Sequence, residues 1–316
     1  MQADRRRING PAGGTAPPVF VSLESAQLKR PVRARKADEH RKIFLRTGVI
    51  PSASGSAYYE IPPQASHKDP SFLTPASSSL KITCTVHGPR PLPRTAAFSP
   101  NVLLTTHIKF APFATRNRRG YVRDSSERDL GLHLETALRG IIIGERWPKA
   151  GVEIVITVLE GEEDGWWADD SDSGGGWGMM GVLAGSVTAA CAGLVDAGID
   201  VVDMVSGGVA ALVKTDQNKT QMVLDPCPAE HDIQAACVVA YLQSRDEVTQ
   251  MWLKGDVGVK TEELVDEAVK AAELSRTVLV EAIKEAMEVK MGGQTDAANG
   301  EPKEGKAKAQ DVVMTG

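Results

Sequence analysis

The chain has little cysteine. Cys84, Cys191, Cys227 and Cys237 are the only four in 316 residues, they lie far apart, and none forms a Cys-x-x-Cys pair. That excludes a disulfide framework and points to a reducing compartment, cytosolic or nuclear. Strong charge of one sign is also missing. A net charge of −5 gives no global pull toward nucleic acid, so any RNA contact must come from a local basic patch. No apolar segment follows Arg5-Arg6-Arg7, so this stretch does not read as a secretory signal. No short-period repeat is present. Long apolar runs reduce to one, residues 179–195. It contains Gly181-x-x-x-Gly185, a spacing found where membrane helices touch. It is rich in Gly, Ala, Ser and Thr, however, and falls short of the ~20 apolar residues a span needs. A helix apolar on all sides within a soluble protein is buried between layers, and no membrane contact is expected.

What is present suits an ordered domain. The chain is 42% hydrophobic and 24% charged, enough apolar content for a core and an ordinary charge share. Residues 1–40 mix Arg, Pro, Gly and Ala without periodicity and read as a mobile N-terminal tail. Order is expected over residues 41–289. Residues 69–79 are Ser/Pro-rich and read as a loop. Leu80, Ile82, Cys84 and Val86 alternate as in a half-buried strand, and residues 101–110 form another strand-like run. Asp124 with Glu127 three residues on is a helix-start signature. Leu130, Leu134, Ala137, Leu138 and Ile141 follow at helical spacing, and Pro148 marks the stop. Residues 152–159 are β-branched and read as a central strand. Residues 161–178 hold a dense acidic run and glycines, and read as a mobile insert.

After the buried helix, residues 201–205, 209–213 and 221–224 read as short strands joined by tight turns, and residues 235–242 and 248–253 as two more. Thr261 caps a long last helix, with Glu262 and Glu263 in its first turn. Its buried stripe is Leu264, Ala268, Ala271, Val278, Ala282 and Ala286. Residues 290–316 read as a disordered tail. Strand clusters followed by a helix, twice over, predict an α+β domain of two similar halves.

Three motifs carry candidate chemistry. Gly176-Trp177-Gly178-Met179-Met180-Gly181 matches Gly-x-Gly-x-x-Gly, with Asp200 and Asp203 roughly where a ribose-binding acid would lie. The acidic insert parts these glycines from their strand and would repel phosphate, so a flexible loop is the expectation. Cys227 with His231, and Cys84 with His87, are isolated pairs. A structural zinc needs four ligands at matched spacings, so neither metal nor cofactor is expected. Arg116, Arg118, Arg119, Arg123 and Arg128 form a basic cluster after Phe113. It reads either as a solvated loop or as a contact to a phosphate backbone.

Several blocks then line up with one family. Arg46-Thr47-Gly48 followed by Ala53-Ser54-Gly55-Ser56-Ala57 resembles the opening hairpin of the RNase PH family. Val86-His87-Gly88-Pro89-Arg90 resembles its strand ending in Gly-Pro. Ala111-Pro112-Phe113-Ala114-x-Arg116-x-Arg118-Arg119, with Glu127-Arg128 beyond, resembles its basic loop and first long helix. Asp196-Ala197-Gly198-Ile199 matches the end of its second helix. The order and spacing of these blocks cover residues 41–289. Within the family, the segment 111–119 is most similar to ring subunits of the eukaryotic RNA exosome.

That resemblance implies an RNase PH-like α+β domain in a ring of similar subunits. Single-stranded RNA would thread through the ring, and cap subunits with RNA-binding domains would sit against it. It also implies a nuclear and nucleolar location, with a cytoplasmic pool, and an RNA contact through Arg116, Arg118, Arg119 and Arg123. Active members carry Gly-Thr-Arg at the start of the second helix, where arginine and helix N-terminus hold the attacking phosphate. Here Gly181 aligns with the glycine, and Val182 and Leu183 replace Thr-Arg. Active members also carry two acids about six residues apart, for a metal or proton transfer. Asp225 fits the first; the second falls near Glu230-His231. The site at Val182, Leu183 and Asp225 therefore reads as vestigial, with no catalytic residue. The expected function is a non-catalytic ring subunit on the RNA path. An active phosphorolytic exoribonuclease and a nucleotide-binding enzyme using the glycine run are the rivals.

Overall fold

The computed structural model describes residue 33 and residues 35–63, 79–162, 176–214 and 220–298. Residues 69–78 of the loop expected at 69–79, most of the acidic insert (163–175), and residues 1–32 and 299–316 of the tails lie outside the described residues. Five strands form the first sheet: β1 (Phe44–Thr47), β2 (Gly55–Ile61), β3 (Leu80–Pro91), β4 (Leu103–Phe110) and β5 (Ala150–Glu160), in the order β1-β2-β3-β5-β4. Neighbours are antiparallel except β4 and β5. Those two are joined through α1 (Ser125–Arg139), the long crossover that a parallel pair requires. Period-2 patterning decides which face is buried. Leu80, Ile82, Cys84 and Val86 of β3 point into the core with Ile154, Ile156 and Val158 of β5, while Lys81, Thr83, Thr85 and Glu153 lie on the outer face.

The apolar run becomes α2 (Gly178–Asp196), packed on that buried face. Small residues permit the approach: a Cβ on Gly185 would lie 2.9 to 3.1 Å from Tyr59, Ile82 and Leu80. The opposite side of α2 meets a second sheet. Its strands are β6 (Val205–Lys214), β7 (Thr220–Leu224), β8 (Asp232–Leu242) and β9 (Glu247–Gly255), all antiparallel, in the order β7-β6-β8-β9. The last helix, α3 (Thr261–Ala298), covers the far side of that sheet. The layers run sheet, α1 with α2, sheet, α3. By length and composition α2 could cross a membrane, but 83% of its apolar window is buried between the sheets. The main core surrounds α2, and a second cluster, including Leu212, Val239, Leu264 and Ala268, fills the space between β6, β8 and α3.

The expected α+β arrangement of two sheet-and-helix halves forms, with five differences in detail. Packing begins before residue 41, because Arg33 and Arg35 are tied to residues near 225. Strand β6 runs unbroken through 205–214, where a turn was expected at Gly207-Gly208. Val201 makes only an isolated bridge to Ile142. Thr261 does not cap α3 by accepting a bond. It is the first helical residue, and its hydroxyl donates backward to the Gly258 carbonyl at 3.0 Å. Helix α3 also continues through Gly292-Gly293 to Ala298, past the expected end at 289.

Candidate functional site

The basic loop, residues 111–124, is held at both ends by one carboxylate. Glu127 is fully buried, and its oxygens accept from the Phe110 N–H (3.1 Å), the Asp124 N–H (3.1 Å) and Lys109 Nζ (2.9 and 3.1 Å). The bond to Asp124 is the carboxylate arm of the expected helix-start motif. Lys109 also donates to the carbonyls of Gly120 and Val122. The loop base is fixed by Ala111 N–H to Val158 O (2.9 Å) and Gly161 N–H to Ala114 O (2.8 Å).

The four candidate arginines separate into two pairs. Arg119 lies over the Phe110 ring, 4.2 Å from its centroid, donates to Thr115 Oγ1 at 3.4 Å and sits 4.0 Å from Asp124 Oδ2. Arg123 donates to His107 Nδ1 at 2.7 Å on the outer face of β4. Both brace the loop. Arg116 and Arg118 instead line an open recess with Pro112, Phe113 and Thr115. Arg118 is exposed and makes no hydrogen bond or ion pair among the described residues. Sequence reasoning could not divide the arginines, since their partners Phe110 and His107 belong to the preceding strand.

The residues expected to be vestigial lie at the start of α2 and the end of β7. Val182 and Leu183 are buried, at 0% and 1% exposure, so neither side chain reaches an open pocket. Asp225 follows β7 in a left-handed conformation (φ 48°), which Asp tolerates better than most residues. Arg41 grips its carboxylate from two directions, Nε to Oδ2 and Nη2 to Oδ1, both at 2.7 Å, and the Arg41 N–H adds a third bond at 3.0 Å. Arg35 donates to the same carboxylate at 3.1 Å and to Glu230 Oε2 at 3.3 Å. Burial works to raise the Asp225 pKa, but Arg41, with His40 and Arg35, holds it well below the usual carboxylate range. Burial likewise opposes the charge on Arg41, yet Asp225 and Glu162 keep its pKa above the ordinary value. A carboxylate so committed to two guanidiniums does not suit a metal ligand, and near the expected second acid Glu230 is itself bound by Arg35 and followed by His231.

Glu162 corrects one expectation. Assigned to the mobile insert, it is buried, and its Oε1 lies against Arg41 Nη2. Its Oε2 meets no donor among the described residues. Arg33, Arg35 and Arg41 face Asp225, Glu230 and Glu162 in one cluster, but Glu162 shares its one ion pair, to Arg41, with Asp225. Burial pushes its pKa up, and Arg41 does not offset that push in the presence of Asp225.

The glycine motif now has a packing reason. The chain leaving β5 crosses the first turns of α2, and a Cβ on Gly178 would lie 2.3 Å from the Glu162 carbonyl oxygen, one on Gly181 2.3 Å from Glu162 Oε2. The spacing of three residues puts both glycines on one helix face, a signal of close approach that the sequence did offer. The nucleotide reading loses its acids: Asp200 pairs with Arg146, while Asp203 accepts from the Ser244 N–H and Arg276. Gly178→Ala is expected to cost about 1–3 kcal/mol through overpacking against backbone. Gly181→Ala meets the Glu162 carboxylate rather than backbone, and the helix propensity it regains, up to ~1 kcal/mol, offsets part of the cost of shifting that side chain, so its loss is expected to be smaller. Thermal melts of the two variants check this, and equal midpoints would contradict the crossing.

The stacked sheets, the buried helix between them and the clipped basic loop define an RNase PH-like domain. Residues 39–200 match the family model described as 3′ exoribonuclease family, domain 1, RNase PH. The chain is 50% identical to the exosome complex component MTR3 of Chaetomium thermophilum, over 90% of this chain and 99% of that protein. It is 29% identical to the exosome complex component mtr3 of Schizosaccharomyces pombe, over 89% and 96% of the two chains. Among solved structures, a chain of the Archaeoglobus fulgidus exosome with RNA bound to the active site superposes with a TM-score of 0.56 at 17% identity, covering 78% of this chain and 92% of that one. The chain belongs to the RNase PH family.

Proposed function

We propose that this chain is an exosome component of the MTR3 kind, a ring subunit that guides RNA through 3′-to-5′ processing and degradation without cleaving it. The observation that carries the reading is the state of the would-be catalytic position. Val182 and Leu183 are buried there, and Asp225 is bound by Arg41 and Arg35. In-line attack by phosphate needs a positioned nucleophile and neutralised charge, and these side chains offer neither. Assembly is supported by β9, an edge strand among the described residues, which presents Met251 (51% exposed) and Leu253 (37% exposed). Other RNase PH-like ring subunits and RNA-binding cap subunits are the proposed partners, in nucleus, nucleolus and cytoplasm.

The test is direct. Purified chain is mixed with labelled single-stranded RNA, phosphate and magnesium. The expected result is no shortening of the RNA and no release of nucleoside diphosphates. Phosphate-dependent shortening that follows the chain through purification, and disappears in Asp225→Asn, would establish the rival reading as an active exoribonuclease.

A further inference from the structure

We propose that Phe113 is a stacking platform for one base of single-stranded RNA, with Arg118 holding an adjoining phosphate. This rests on the reading of the chain as an RNA-path subunit and names the contact that path makes with it.

Phe113 is exposed at the base of the loop, as Tyr121 (84%) and Val122 (62%) are on its far limb. Phe110 is 1% exposed and Ala114 3%, while Phe113 between them is 75% exposed. A single exposed hydrophobe is ordinary, so the surroundings decide. Phe113 lines an open recess of about 480 Å³. The lining residues are Pro112, Phe113, Thr115, Arg116 and Arg118, with two cations and no carboxylate. Arg118 makes no ion pair among the described residues, whereas Arg119 and Arg123 are consumed by Phe110 and His107. An aromatic face beside the exposed Arg118 guanidinium suits a polyanion that carries planar rings. A single-stranded nucleic acid has both, since its unpaired bases stack on aromatic side chains and its phosphates meet arginine. A duplex keeps its bases inside, and an acidic peptide satisfies only the charge.

The loop is also ordered before any ligand arrives. Glu127 clips its two ends, Lys109 holds its far limb, and Arg119 N–H bonds Pro112 O at 3.1 Å. Binding to a preformed surface avoids the entropy cost of ordering the loop.

The experiment uses the ring reconstituted with this chain. Fluorescence anisotropy measures binding of a single-stranded RNA and of a matched oligonucleotide with an abasic tract. Phe113→Ala is expected to weaken the intact RNA about tenfold and to leave the abasic one unchanged, with Phe113→Trp restoring affinity. Arg118→Ala is expected to weaken both and to lower the salt slope by roughly one. Unchanged RNA affinity in Phe113→Ala overturns the stacking proposal. If Arg118→Ala still weakens binding in that case, the RNA path itself stands. If neither variant changes affinity or slope, the RNA-contact reading of the loop falls as well. Equal weakening of intact and abasic RNA by Phe113→Ala, or failure of that variant to enter the ring, makes Phe113 a structural or subunit contact and overturns the proposal.

Discussion

Arg41→Met is expected to destabilise the protein by about 3–5 kcal/mol, the cost of removing one partner from a buried ion pair. The size of the loss comes from what is left behind. Asp225, at 5% exposure, would keep the Arg35 bond at 3.1 Å and the backbone N–H of residue 41 at 3.0 Å but lose both guanidinium bonds of 2.7 Å. Glu162 would lose its one ion pair among the described residues. Methionine fills much of the same volume, so the deficit would be electrostatic rather than a cavity. A melt should show Tm lowered by about 10 °C. A variant within about 2 °C of the parent would mean that Arg41 is not the centre of the cluster.

The pH dependence separates the two carboxylates of this cluster. Asp225 has a depressed folded pKa. Its stabilisation is present above the unfolded value of about 3.9 and is lost as pH falls through the folded value. Glu162 has a raised folded pKa, so its ionisation costs stability as pH rises from about 4.3 through the folded value. Glu162→Gln removes only the second effect. Relative to the parent, this variant should gain stability as pH rises above about 4.3, while Arg41→Met is less stable than the parent throughout that range.

The division of the basic loop and the locking of Asp225 share one reason for being hard to read from sequence. Local signals were legible: alternation gave β3, the Asp124-Glu127 spacing gave the start of α1, and uniform apolarity gave the burial of α2. The site depends on long separations instead. Arg41 and Asp225 are 184 residues apart, and Arg35 and Glu230 195. Arginines in a Pro- and Gly-rich lead-in look like a solvated tail, and Glu162 at the head of an acidic run looks solvated with the rest. Only the fold brings them to the start of α2. The resemblance to the RNase PH family located the position of lost chemistry, but it did not reveal that the surrounding side chains neutralise one another.

Gly207→Ala and Gly208→Ala are each expected to cost at least about 3 kcal/mol, at or beyond the upper end for overpacked cores. Adjacent glycines read as a turn in sequence, since glycine weakens a strand interior. In the fold they sit mid-strand in β6 and face opposite ways, as the strand period requires. A Cβ on Gly207 would lie 2.2 Å from the Ala184 oxygen of α2, and one on Gly208 2.2 Å from the Ala268 oxygen and Ala272 nitrogen of α3. All of these are backbone atoms, so no side chain can swing aside. The close approach is also bonded: Gly207 N–H reaches Thr188 Oγ1 of α2 at 3.1 Å, and Ser206 Oγ donates to Ala272 O of α3 at 2.8 Å. One dipeptide therefore sets the spacing of α2, the second sheet and α3. Gly120→Ala is the control, because a Cβ there meets nothing within 4 Å, and it should leave Tm unchanged or slightly raised. Denaturant and thermal unfolding of the three variants would check the expectation. Midpoints for Gly207→Ala and Gly208→Ala that match the control would mean that α2 and α3 do not lie against β6 at this distance.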